Sequence, residues 1–225
     1  MTSLFTNTFI YYSIIHYLMK GEIARLLLEN EAVSLNVDRP YTYASGIRSP
    51  IYCDNRKLLG NPSARTKIVD SFLELLYTEA FDVVVGVATA GIPWAAIIAD
   101  RLGKPLLYVR DKAKGHGKQN TIEGSYKDGM RAVVIEDLIS TGSSSLAAIK
   151  TLEEEGLVCT LCVAIFTYGL PEAKEKFKNT PLKTLSDFST LLVEAQELRI
   201  ITKEQESTAL QWNKNPHSWK GRESA

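Results

Sequence analysis

From Pro62 onward, the apolar residues form two kinds of pattern. Runs of consecutive apolar residues predict buried strands at 82–87, 105–109, 131–135 and 158–166. Between these runs, apolar residues three and four positions apart predict helices at 64–77, 92–101 and 143–155. The stretch 111–129 has neither period and is predicted to be a loop. Alternating strands and helices predict an α/β fold, a central parallel sheet flanked by helices that binds ligands at the carboxyl ends of its strands.

The two ends of the chain add helices. A helix is predicted from about Ser186, and a second follows Thr202-Lys-Glu-Gln205, which has the pattern of a capping box. Residues 9–18 are apolar but too few to cross a membrane, and they lack a basic flank and a cleavage site. We expect residues 1–18 to be either an extension upstream of a true start at Met19 or a short extra helix.

Composition narrows the class of protein. The 225 residues carry 26 basic and 26 acidic side chains, so no general affinity for nucleic acid or for an anionic membrane is expected. Three cysteines cannot form a paired disulfide framework, and an odd count suits a reducing, cytoplasmic location. Cys159 and Cys162 have the spacing of a zinc ligand pair, but on a strand an odd offset points them to opposite faces, which argues against metal binding.

Candidate chemistry concentrates in residues 133–144, which read VVIEDLISTGSS. An apolar strand leads into Glu136 and Asp137, then a hydroxyl-rich turn, then the start of a helix. Such a turn offers several backbone N–H groups and a helix dipole to one phosphate. Carboxylates repel phosphate, so the two acidic residues should face sugar hydroxyls or Mg²⁺. The plain structural alternative is an N-capped helix, which explains each residue singly but not all of them together.

These twelve residues resemble the phosphoribosyl pyrophosphate (PRPP) signature of type I phosphoribosyltransferases. Two further segments resemble orotate phosphoribosyltransferases in particular: 41–56 (YTYASGIRSPIYCDNR) is similar to the orotate-side segment, and 110–117 (RDKAKGHG) is similar to the mobile catalytic loop. A fourth segment, 86–93 (GVATAGIP), resembles the pyrophosphate loop. All four segments occur in the family's order.

The resemblance implies the type I phosphoribosyltransferase fold, with a small hood built from the N- and C-terminal segments. We expect a single domain over 19–225, with the hood at about 20–60 and 180–225 and the core at about 61–179. It also implies a homodimer whose catalytic loop is shared across subunits, with orotate and PRPP as substrates. Mg²⁺ would be held mainly through PRPP, without a dedicated set of protein ligands.

Residue roles carry over by position. The resemblance assigns catalysis to Arg110, Lys114, His116 and Asp137. The PRPP contacts would be Arg110, Lys114, His116, Glu136, Asp137, Leu138, Ile139, Ser140, Thr141, Gly142, Ser143 and Ser144. Orotate would contact Ser140 and Arg56. Arg56 is the candidate for the orotate carboxylate, because a guanidinium binds a carboxylate with two hydrogen bonds.

The chain departs from the commoner family pattern at several positions. Ala44 and Ala90 stand where many relatives have lysine, Asp111 stands where many have the loop lysine, and an arginine expected near 166–169 is absent. We expect Arg48 and Arg56 to compensate. The loop at 110–125 is basic and glycine-rich, so a solvated basic loop is the alternative to a catalytic one.

Other functions remain open at this point. A purine phosphoribosyltransferase would share the PRPP site but not the 41–56 segment, and choice of acceptor base separates the two. A non-catalytic regulator on the same fold would need a nucleic-acid-binding face, yet no helix-turn-helix pattern precedes residue 40. A dinucleotide enzyme or a nucleoside triphosphatase would need glycine motifs that the chain lacks.

Overall fold

The structure is a computed structural model that describes residues 18–43, 45–110 and 121–221. The chain divides into two compact units. The first unit comprises the described parts of Met1–Cys53 and Leu185–Ala225, and the second comprises those of Asp54–Thr184. The predicted division into hood and core stays a prediction. Residues 1–17 lie outside the described chain, and so do both hypotheses about the N-terminal extension.

Ten strands are present in the described residues. In chain order they are β1 (Val33–Leu35), β2 (Tyr41–Thr42), β3 (Arg48–Ser49), β4 (Ile51–Cys53), β5 (Val83–Val87), β6 (Leu106–Val109), β7 (Ile122–Glu123), β8 (Arg131–Ile139), β9 (Val158–Thr167) and β10 (Leu182–Asp187). The helices are α1 (18–29), α2 (Pro62–Leu76), α3 (Gly91–Leu102), α4 (Ser143–Glu154), α5 (Pro171–Lys176), α6 (Phe188–Glu197) and α7 (Lys203–Lys214), with a 3₁₀ helix at Asn55–Gly60.

A six-stranded sheet has the order β10-β9-β8-β5-β6-β7. Strands β9, β8, β5 and β6 are parallel neighbours. Every residue of β5 is buried, as expected for a strand covered on both faces. The α/β prediction is confirmed, because strands and helices alternate along this part of the chain.

Strand β8 is longer than the sequence predicted. We expected it to end at residue 135, but it continues through Ile139 because β9 supplies partners for the extra residues. Glu136 pairs with Ala164, and Leu138 pairs with Phe166. The two acidic residues therefore lie within the strand, near its carboxyl end, and not in the turn that follows.

Two other boundaries differ from the prediction. The predicted loop at 111–129 contains β7, which pairs antiparallel with β6 and buries Ile122. The helix predicted from Ser186 begins at Phe188, because Leu182–Asp187 is a strand. Asp187 then caps the helix by accepting a hydrogen bond from the Thr190 N–H.

The predicted opposite orientation of Cys159 and Cys162 is wrong. The pairing of β8 with β9 shifts between Ala132 and Val133, so one extra residue of β9 separates the two cysteines. As a result, both contact the same apolar cluster, which includes Ile149 of α4. The Cys159 Sγ lies 3.9 Å from the Ile149 carbonyl oxygen.

The first unit joins the two ends of the chain. β1 pairs with β4 and β2 with β3, both antiparallel. The capping box at Thr202 and Gln205 is confirmed. The Trp212 indole lies 5.4 Å from the Phe188 ring and donates a hydrogen bond to the Arg48 carbonyl at 3.0 Å. Across the described ranges, the helices are all too short or too polar to cross a membrane.

Candidate active site

The carboxyl ends of β5 and β8 lie side by side in the second unit. Gly86 pairs with Ile135 in the parallel register. α3 begins at Gly91, and a Cβ at that position would collide with the Ile135 carbonyl oxygen. A glycine is therefore required there, since the backbone of α3 meets β8 one residue before Glu136. The segment that resembles a pyrophosphate loop thus lies next to the acidic pair.

Glu136 is buried and hydrogen-bonded on both oxygens. The residue is 7% exposed. One oxygen accepts from the Asp137 N–H at 3.0 Å, and the other accepts from the Ser145 hydroxyl at 3.0 Å. Burial raises the pKa of Glu136, and the adjacent Asp137 carboxylate raises it further. Glu136 consequently links the end of β8 to the first turn of α4.

Asp137 follows with its side chain half-buried. Its backbone carbonyl accepts a hydrogen bond from the Asn55 amide at 2.7 Å. Burial is the main cause that raises the pKa of Asp137, while hydrogen bonding to Glu136 and the charge of Arg56 oppose the rise. The two neighbouring carboxyl groups therefore hold protons to higher pH than isolated ones. Sugar hydroxyls and a divalent cation suit such a site, since both interact with carboxylate oxygens.

The turn after β8 has the geometry of an anion cradle. Gly142 has φ 77° and precedes α4, and no side chain caps this helix. The N–H groups of its first turn are free of an intrahelical partner, because the helix bonding begins with the Leu146 N–H donating to the Gly142 carbonyl. The hydroxyls of Thr141 and Ser143 lie 3.1 Å apart beside these groups. Backbone donors, hydroxyls and the helix dipole together favour a phosphate here.

Leu138 and Ile139, which follow the acidic pair, have different environments. Ile139 is fully buried in the core cluster. Its carbonyl accepts from the Thr167 hydroxyl and from the Tyr168 N–H, each at 3.1 Å. The Ile139 side chain therefore serves packing, and its carbonyl is bonded to β9. Leu138 is partly exposed at the strand end.

Arg56 lies on the 3₁₀ helix, close enough to Asp137 to influence its charge. Its guanidinium is 65% exposed and lies 2.6 Å from Asp54. This hydrogen bond is the largest cause of the lowered pKa of Asp54. Arg48, the other arginine expected to compensate, belongs to the first unit and donates to the Lys220 carbonyl at 2.7 Å.

Arg110 stands at the start of the segment that resembles the catalytic loop. Its N–H donates to the Thr121 carbonyl, and its guanidinium lies 3.1 Å from the Glu123 carboxylate. Lys114 and His116 lie outside the described residues, as do Ala44 and Asp111. Ala90 immediately precedes α3, where no side chain caps the helix.

Three residues that contact the motif were missed by the sequence reasoning. Asn55 and Ser145 hold the carboxylate strand, as described above. Lys176 of α5 donates a hydrogen bond to the Ser143 hydroxyl at 2.8 Å. Ser145 could have been proposed as a site residue from the sequence, because it continues the serine run in the first turn of α4. Nothing in the local sequence identifies Lys176, which lies 33 residues further along the chain.

Within residues 18–43, 45–110 and 121–221, no group of three or more His, Cys, Asp or Glu side chains could hold a metal ion. The acidic pair still offers carboxylate oxygens, the ligand type that Mg²⁺ prefers.

Comparisons with known proteins agree with this site. The family model described as "Phosphoribosyl transferase domain" matches residues 61–192. The orotate phosphoribosyltransferase of Coxiella burnetii is 51% identical over 202 residues, which cover 88% of this chain and 97% of that protein. The solved orotate phosphoribosyltransferase of Aeropyrum pernix has a TM-score of 0.69 and 33% identity, covering 80% of this chain and 99% of that one.

A second solved structure, the UMP synthase of Leishmania donovani, has a TM-score of 0.74 and 29% identity. It covers 86% of this chain, which spans only 42% of that longer protein. Identity over nearly the full length of the Coxiella relative, together with the domain match, leaves one assignment. This chain belongs to the orotate phosphoribosyltransferases of the phosphoribosyl transferase domain family.

Proposed function

We propose that this chain is a pentosyltransferase that moves the ribose 5-phosphate of PRPP onto N1 of orotate, giving orotidine 5′-monophosphate and pyrophosphate on the route to UMP. The observation that carries the proposal is the position of the buried Glu136 and the half-buried Asp137 beside the uncapped N-terminus of α4. The acidic pair can face sugar hydroxyls while the first turn of α4 faces a phosphate. A sugar phosphate needs both kinds of group.

The reaction breaks the bond between ribose C1 and the pyrophosphate oxygen and forms the bond between C1 and orotate N1. The N1 proton of orotate leaves to solvent. The transition state has oxocarbenium character, so the protein must orient the ribose, stabilise the departing charge and exclude water. Because orotate N1–H is acidic, no strong general base is required.

Each part of the site has a proposed role. Glu136 and Asp137 would accept hydrogen bonds from the ribose hydroxyls, and residues 138–144 would bind the 5′-phosphate through backbone N–H groups and hydroxyls. Arg110, with Lys114 and His116, would bind the pyrophosphate. Ser140 would also contact orotate, whose carboxylate would pair with Arg56.

Mg²⁺ fits the oxygen donors of the site. PRPP would supply most of its ligands, and the carboxylates of Glu136 and Asp137 are protein oxygens of the suitable type. When bound, the ion would neutralise pyrophosphate charge. The protein's part is then to hold the ribose hydroxyls and to keep the acidic pair in place through Ser145 and Asn55.

The homodimer with a shared catalytic loop and the cytoplasmic location are also part of the proposal. The loop's basic composition supports a role near pyrophosphate. The three cysteines, all without a disulfide, support a reducing compartment.

The direct test is the change in orotate absorbance when the protein is mixed with PRPP and Mg²⁺. Adenine, guanine and hypoxanthine serve as alternative acceptors. We expect turnover when orotate is the acceptor and no turnover with any of the three purines. Turnover with a purine and not with orotate would contradict the proposal.

A further inference from the structure

We propose that Lys176 of α5 is a ligand of the 5′-phosphate of PRPP. This inference rests on the proposed function, because it concerns the same phosphate site. It adds to that site a cation from an element that lies outside the 133–144 motif.

The carboxyl end of α5 is packed onto the phosphate cradle by two separate contacts. Lys176 Nζ donates to the Ser143 hydroxyl at 2.8 Å, and Ser143 is the first residue of α4. The next residue, Phe177, lies against the turn, and a Cβ at Gly142 would collide with its ring. Phe177 and Ala173 are buried in the core cluster of the sheet, which fixes this end of α5 in place. The position of Lys176 beside the cradle is therefore built into the packing.

The charges of the cradle explain why a cation is useful there. The 133–144 motif supplies two carboxylates and no basic side chain, while a phosphate monoester carries close to two negative charges. Backbone N–H groups and hydroxyls satisfy oxygen atoms but contribute only partial charge. A lysine ammonium supplies one full charge and three donors.

Lys176 has the capacity for another acceptor. Its side chain is 36% exposed, and its ammonium also lies 2.6 Å from Glu172, one turn earlier in α5. Ser143 and Glu172 account for two of its three N–H donors, and the third can reach a phosphate oxygen. Glu172 is an opposing charge at this site, but it is 45% exposed and hence well screened by water.

The test compares Lys176→Gln with Lys178→Gln. Lys178 is a matched control because it is two residues away, is exposed and is also paired with a glutamate, Glu175. Both variants lose one positive charge from the same surface. Isothermal titration calorimetry with ribose 5-phosphate measures the affinity of the 5′-phosphate site without turnover. Pyrophosphate is the control ligand, because it has no 5′-phosphate.

We expect Lys176→Gln to weaken ribose 5-phosphate about tenfold, the factor typical of one charge-assisted hydrogen bond at a partly exposed site. Pyrophosphate affinity and the KM for orotate should stay within about twofold, and Lys176→Arg should retain most of the affinity. Lys178→Gln should behave as wild type. Unchanged ribose 5-phosphate affinity in Lys176→Gln, or equal losses in both glutamine variants, would overturn the assignment.

Failure of the proposed function would appear differently, as absence of orotate turnover in the unmodified protein. The calorimetric comparison still reports on Lys176 in that case, since any enzyme that binds a sugar 5-phosphate at α4 would show the same loss.

Discussion

The Asn55 amide nitrogen donates a 2.7 Å hydrogen bond to the backbone carbonyl of Asp137, and the Asn55 side chain is completely buried. The two residues are 82 positions apart in the chain. Because Arg56 follows Asn55 directly, this bond fixes the proposed orotate residue relative to the proposed ribose residue.

Replacing Asn55 with alanine should therefore weaken both stability and PRPP binding. The variant loses the hydrogen bond to the partly buried Asp137 carbonyl, at a cost of about 1–3 kcal/mol. Urea unfolding and the KM for PRPP are the measurements. Asn30→Ala is a suitable control, because Asn30 also donates to a backbone carbonyl, that of Leu26 in α1. Both variants should lose stability, but only Asn55→Ala should raise the KM for PRPP severalfold; equal KM values would refute the link.

Gly142→Ala should damage the phosphate cradle. The residue has a positive φ of 77°, which costs about 1–2 kcal/mol for a residue with a Cβ, and its Cβ would also strike the Phe177 ring. Gly129→Ala is the matched control, since Gly129 has φ 78° with open space around it. We expect the Gly142 variant to lose more stability than the control, measured by thermal unfolding, and to bind PRPP more weakly. A loss no greater than that of Gly129→Ala would mean that Phe177 adapts without cost.

Sequence reasoning could propose most residues of this candidate site because they are contiguous. The carboxylate pair, the hydroxyl-rich turn and the start of α4 form one segment, so periodicity and residue chemistry suffice to place them. Asn55 and Lys176 reach the same site through tertiary packing, for which no local signal exists.

The errors have the same origin. β8 extends past residue 135 because β9 provides partners for Glu136–Ile139, and the cysteines share a face because of a bulge in that pairing. The sequence of one strand does not show which strand will pair with it or in which register.

The acidic pair should make stability depend on pH. The folded-state pKa of Glu136 is raised to about 8, whereas an unfolded glutamate titrates near 4.5. Between these values the folded protein binds more protons than the unfolded chain, so stability falls as pH rises, by at most about 1.4 kcal/mol for each pH unit. Glu136→Gln removes this titration from the folded protein.

The difference in unfolding free energy between Glu136→Gln and wild type should therefore increasingly favour the variant from pH 5 to pH 8. Urea titrations at four pH values measure it. Two parallel stability curves would show that Glu136 titrates normally in the folded protein.

The proposed sharing of the catalytic loop predicts complementation between inactive chains. A Lys114→Ala chain and an Asp137→Asn chain should each be nearly inactive, and a heterodimer should contain one intact composite site. Mixing them after brief denaturation should restore up to about a quarter of wild-type activity, if half of the dimers are heterodimers with one working site in two. Mass spectrometry confirms heterodimer formation, and heterodimers without activity would contradict sharing between subunits.

Arg56→Ala should raise the KM for orotate far more than the KM for PRPP. The guanidinium is 65% exposed, and the loss of its surface ion pair with Asp54 should change stability by about 0–1 kcal/mol. Loss of its contact with the orotate carboxylate should cost more, about 1.5–3 kcal/mol, because hydrogen bonds to charged groups are stronger than neutral ones. Arg25→Ala is the control, as Arg25 is also a partly exposed arginine paired with a carboxylate, that of Glu194. Initial rates at varied orotate and at varied PRPP separate the two constants. If the orotate KM of a folded Arg56→Ala protein equals that of Arg25→Ala, the carboxylate is bound by other groups, and Ser140 becomes the residue to test next.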